Sequence, residues 1–126
     1  MQYLKPANYS TTNSYADVPN STIDTIYEPG KGEKLISAQI SEVGAVNGIT
    51  VKVVASNDDA TYVDITGCDQ NGTTLGAADV TLAASGEKVI VIAPTTAMAA
   101  FRFYKLQAKS TIGGDAGTLA SSIAAK

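Results

Sequence analysis

Histidine, cysteine and paired carboxylates carry most side-chain chemistry, and this sequence is poor in all three. Its 126 residues include no histidine and a single cysteine, Cys68. A nucleophilic serine or cysteine needs a base, most often histidine, and no GxSxG turn occurs. Cys68 therefore reads as a small core residue. One cysteine without histidine cannot complete the usual zinc ligand set. Asp58, Asp59, Asp64 and Asp69 offer oxygen ligands of the type calcium uses. The simpler reading is that Asn57-Asp58-Asp59 is a turn whose side chains cap their own backbone. As glycosidase acids, Asp58 and Asp59 are badly placed, because neighbours in a turn point apart into water. Gly30-Lys31-Gly32 follows a strand but does not open a helix, so it is no phosphate cradle. No catalytic residue, cofactor or metal is expected.

The aromatic set is six Tyr, two Phe and no Trp. Tyr27, Tyr62 and Tyr104 are candidates for a sugar-stacking platform, against the plainer expectation that they pack half-buried with the hydroxyl in water. Lys105 and Lys109 share one face of a strand. They suit an acidic partner or, more simply, a solvated face that guards an edge.

Chemistry aside, the elements are those of an all-β domain. A chain with 44% hydrophobic and 17% charged residues folds, and this length suits one domain. A net charge of −3 with nine scattered basic residues excludes a basic nucleic-acid footprint. It offers no attraction to an anionic membrane either. Met1–Lys5 does not read as a signal peptide, and no apolar run approaches the ~20 residues of a membrane span. Synthesis in a cytoplasm is expected.

Eight short strands are expected. Thr22–Tyr27 precedes the turn Glu28-Pro29-Gly30-Lys31-Gly32, and Leu35–Ile40 follows it. Ile49–Val53 and Thr61–Ile65 flank Ser56-Asn57-Asp58-Asp59 as a hairpin. Val80–Leu82 comes next, then Lys88–Ile92, an apolar run suited to cover on both faces. Phe101–Ala108 shifts its apolar face after Phe103, which implies a bulge or a change of partner. Gly113-Gly114 turns into Gly117–Ala124. Thr95–Ala100 has room for one helical turn. The spacing is that of an antiparallel sandwich, jelly-roll-like.

Residues 1–20 differ. The segment is polar, contains Pro6 and Pro19, and has no strand or helix period. Its apolar content is mostly Tyr3, Tyr9 and Tyr15, with Leu4 beside the first. Such a segment is an extended N-terminal arm ahead of a 21–126 sandwich, ordered only against its own domain or against a neighbouring subunit. The second arrangement is preferred, with those four residues as the assembly contacts.

Two stretches carry a family likeness. Val51–Ile65, containing Ser56-Asn57-Asp58 and Tyr62-Val63-Asp64, forms one. Ala99–Ser110, with Arg102-Phe103-Tyr104 and then Gly113-Gly114-Asp115-Ala116-Gly117-Thr118-Leu119, forms the other. Together they resemble the small β-sandwich accessory proteins of tailed-bacteriophage virions, which decorate heads or sit at necks and tails. That resemblance implies a non-enzymatic capsid decoration protein located in the virion and made in the host cytoplasm. Its implied partners are a major capsid or other virion protein and further copies of itself in a homo-oligomer. The same stretches are similar to discoidin-type jelly rolls that bind carbohydrate or receptor, although Tyr62 stands where that pattern has Trp. A shared sandwich does not transfer a sugar site.

Overall fold

Period-2 alternation decides which way each strand faces. In β5 (Ile36–Val43), Ile36, Ala38, Ile40 and Glu42 are buried while Gln39 and Val43 are exposed. β10 (Phe103–Ser110) and β11 (Thr118–Ala125) keep the same strict alternation over eight residues each. The computed structural model describes residues 2–25, 36–45, 47–69, 71, 73–76, 79–92, 101–112 and 117–125, and among these there is no helix.

Two antiparallel sheets result. In the first, β11 pairs with β5, and β5 with β9 (Glu87–Ile92). The far edge of β11 is filled end to end by β1 (Gln2–Leu4) and β2 (Tyr9–Ser10). In the second, β10 pairs with β6 (Ile49–Ser56). The far edge of β10 carries β3 (Ala16–Asp17) and β4 (Ile23–Asp24). The far edge of β6 carries β7 (Val63–Ile65) and β8 (Asp79–Leu82). Each sheet thus has four strand positions, and three of the edges are made of two short pieces.

The inward faces form one core. Ile36, Ala38, Ile40, Ile90, Leu119 and Ile123 from the first sheet meet Ile49, Val51, Val53, Leu82, Tyr104 and Leu106 from the second. Gly117 sits where they meet: a Cβ there would lie 2.6 Å from the Cβ of Ala45 and 3.0 Å from Cγ2 of Ile49.

The all-β sandwich expected from the pattern is what forms, and β4 to β11 are the eight expected strands. The β6–β7 hairpin forms with Val53 opposite Ile65. Two details differ. β9 buries Ile90 but leaves Glu87 and Lys88 exposed and Val89 and Val91 half-buried. Among the described residues it pairs along its length with β5 alone, and a bridge joins Cys68 to Val91. β10 has no bulge against β6, because its register is unbroken from Phe103–Ser56 to Ser110–Ile49. The change lies on its other edge, where the partner passes from β4 to β3. The turn expected at 28–32, the helical turn at 95–100 and Gly113-Gly114 lie outside the described residues, as does the side chain of Ile92.

Candidate functional site

The arm takes its place through main-chain pairing. Leu4 lies opposite Ile123 and Tyr9 opposite Leu119, so residues 5–8 face only 120–122. The extra residue makes a bulge containing Pro6, which has no N–H to offer a ladder. Pro6 is buried.

The chain then crosses from one sheet to the other at Thr11-Thr12. The Thr11 amide donates to the Gly117 carbonyl at 2.9 Å, and the Ser110 amide donates to the Thr12 carbonyl at 2.8 Å. The Thr11 hydroxyl accepts from the Gly117 amide at 3.1 Å and shares a 3.0 Å bond with the Ser110 hydroxyl. One buried threonine therefore fastens the start of β11 and the end of β10.

Beyond β3 the Val18 amide donates to the Leu106 carbonyl at 2.9 Å. Residues 18–22 then loop outward, with Asn20 at a φ of 58°. Ser21 repairs the ladder across that loop. Its hydroxyl donates to the Val18 carbonyl at 2.7 Å and accepts from the Leu106 amide at 3.1 Å. At β4, Arg102 makes a two-pronged contact with Asp24, both bonds 2.9 Å. The guanidinium is held more firmly charged by that carboxylate.

The four assembly residues singled out from the sequence are scattered. Tyr3 is 62% exposed, on the outer face of the first sheet. Leu4 and Tyr9 are partly buried against the core of their own chain. Tyr15 lies on the outer face of the second sheet, its ring between the ammonium groups of Lys52 at 4.2 Å and Lys109 at 4.9 Å. Its hydroxyl is buried and, among the described residues, has no partner at normal hydrogen-bond geometry. Burial, and then the Asp79 carboxylate, push its ionisation upward. Preference for a neighbouring subunit concerned a second chain; within one chain the arm lies on its own sheets. The sequence does not point to Thr11 and Ser21, whose hydroxyls fasten the arm, because a buried hydroxyl has no signature in a polar segment.

Polar groups on the outer face of the second sheet are tied to one another. Lys105 stacks 3.7 Å from the centre of the Tyr62 ring and reaches Asp17 at 2.8 Å. Gln107 donates to the same carboxylate at 2.8 Å, and Lys52 pairs with Asp64 at 3.0 Å. The Lys105 bond above all holds Asp17 below the ordinary carboxylate range. Of the three tyrosines that are candidates for a sugar platform, Tyr104 is in the core and Tyr62 is covered by Lys105, while Tyr27 lies outside the described residues. Asp58 is engaged as a turn cap. It accepts from the Ser56 hydroxyl at 2.7 Å and from the amides of Ala60 at 2.9 Å and Thr61 at 2.8 Å.

A second buried polar centre went unremarked in the sequence. Glu42, 1% exposed, accepts from the Ala45 amide at 3.2 Å and from the Ser85 amide. It ties the loop after β5 to the loop before β9.

No family model matches the sequence, and no curated protein matches it. By fold the chain is similar to the SPBc2 prophage-derived protein YomS. The TM-score is 0.57 at 10% identity, over 100% of this chain and 96% of that one. Fainter likenesses reach the infectious bursal disease virus, Gx strain (TM-score 0.49, 17% identity, 97% of this chain and 30% of the other), and its T13 viral particle (0.47, 17%, 97% and 29%). This chain spans under a third of those two proteins, and likeness at those scores carries no argument. The prophage likeness shows a shared fold.

Proposed function

We propose that this chain is a non-enzymatic structural protein of a virus particle, a decoration protein of a tailed-phage head that docks through its arm and sandwich. Its partners are a capsid protein and further copies of itself. The observation that carries this reading is the full-length fold likeness to a prophage-derived protein. Two features of the chain agree with it. Asp58, Lys105 and Tyr62, the groups best suited to chemistry or ligand stacking, are engaged in turns, ion pairs and ring contacts. The arm runs along the outside of both sheets and presents Tyr3, an amphipathic ring of the type that dominates protein interfaces.

The test is fractionation of particles from cells that make the protein, followed by mass spectrometry and immunogold labelling. Co-sedimentation in repeated copies, with gold on the head, is expected. Gold confined to neck or tail replaces decoration with an accessory role there. A chain found only among unassembled proteins overturns the reading.

A further inference from the structure

We infer that copies of this chain exchange arms, the β1–β4 segment of one seating on the β11 and β10 edges of another. The inference deepens the assembly reading and rests on it for its setting.

The arm's fastenings lie on one side of the sandwich. β1 and β2 touch β11, β3 and β4 touch β10, and the bonds of Thr11, Val18, Ser21 and Thr25 reach Gly117, Ser110, Leu106 and Arg102. Every one of these partners exists equally on a second copy. Contact energies therefore cancel between the closed and the exchanged forms, and swapping an identical element is a low-cost route to oligomers. The seat is also specific. It demands a bulge opposite 120–122 and a hydroxyl facing the Leu106 amide, so a foreign strand fits it badly while a second copy's arm fits it by identity.

The choice of seat is made during folding, because the arm, with its strands of three, two, two and two residues, carries Val18 and Ile23 of the core and cannot leave a folded sandwich without uncovering it. Thr25 and Ile36 are eleven residues apart in sequence, which allows a span of at most about 36–40 Å of chain. The balance is then set by concentration. An intramolecular seat competes at an effective concentration of about 1 mM. Dilute chains stay closed, and copies crowded side by side exchange.

The register supplies the experiment, because Tyr3 lies directly opposite Ala124. Opposed strand residues have Cα atoms about 4.5–5.5 Å apart, within disulfide range. In a Cys68→Ser background, Tyr3→Cys and Ala124→Cys are made in separate full-length chains, co-refolded and oxidised at about 1 mM and at about 10 µM, on either side of that effective concentration. Neither chain can form the 3–124 link alone. A disulfide joining position 3 of one chain to position 124 of the other is expected at the high concentration, at least about tenfold more than at the low one. A double variant carrying both changes should close within one chain at the low concentration. Absence of the mixed link overturns the exchange, as does linkage no more frequent than position 3 to position 3. Failure of the double variant to close shows that the arm is not seated on β11 and removes the premise. None of these outcomes depends on a virus particle, so failure here is separable from failure of the fractionation test.

Discussion

Replacing Ser21 with alanine removes one hydroxyl where the arm loops away from β10. The Leu106 amide, which donates to that hydroxyl at 3.1 Å, is left facing a methyl group inside a residue position 1% exposed. The Val18 carbonyl loses its 2.7 Å donor. An orphaned buried N–H costs about 1–3 kcal/mol, and an under-satisfied carbonyl with its second lone pair costs less. The expected loss is therefore about 1–3 kcal/mol, a large part of the ~5–15 kcal/mol by which domains are stable. Urea unfolding measures it as a lower midpoint at unchanged slope. Native-state hydrogen exchange adds a local readout, since the Leu106 amide should lose protection beyond the global change. Thr22→Ala, one residue along and exposed, is the control and should stay within about 0.5 kcal/mol. A Ser21→Ala midpoint equal to that control, with Leu106 still protected, would refute the account of how the arm is held.

Deleting residues 1–20 strips the edges of β10 and β11 and uncovers the core beside Val18, so the expected result is a chain that aggregates or fails to fold, read by circular dichroism and gel filtration; a soluble sandwich would show the arm to be dispensable. Glu42→Gln turns an amide NH₂ toward one of its two backbone donors, the buried Ala45 amide or the part-buried Ser85 amide, and should cost about 1–3 kcal/mol by urea unfolding. Ile90→Ala, at a position 3% exposed, should cost about 2–5 kcal/mol, and a loss under about 0.5 kcal/mol would place that strand outside the core. The Ser56 hydroxyl, then the Thr61 and Ala60 amides, hold the Asp58 carboxyl at about 2, below its ordinary 3.8. Its contribution to stability is therefore present above the unfolded value and lost as pH falls from 3.8 toward 2; Asp58→Asn should flatten the urea midpoint over that range, and an unchanged profile would count against the turn cap.

The strands of the sandwich and the lack of ordinary catalytic partners were legible in the chain itself. Alternation in Ile36–Ile40, Ile49–Val53 and Tyr104–Ala108 is a local property, and it points the same way wherever the strand ends up. The hairpin around Asn57-Asp58 is equally local, because its polar residues bond to amides two and three positions away. Glu42 was half legible: it continues the inward series Ile36, Ala38, Ile40, yet its acid reads as the end of a strand until Ala45 and Ser85 are brought to it. The apolar run at β9 read as covered on both faces, yet Val89 and Val91 are only half-buried, since one strand's composition does not say what lies over its outer face. The arm was decided by tertiary structure alone. Its strands are held by backbone amides and carbonyls, which every residue type but proline possesses in full, and by the hydroxyls of Thr11 and Ser21, which reach Ser110 and Leu106, 99 and 85 residues away. Such bonds depend on which edge is vacant when the sheets close, and no pattern within the first twenty residues encodes that.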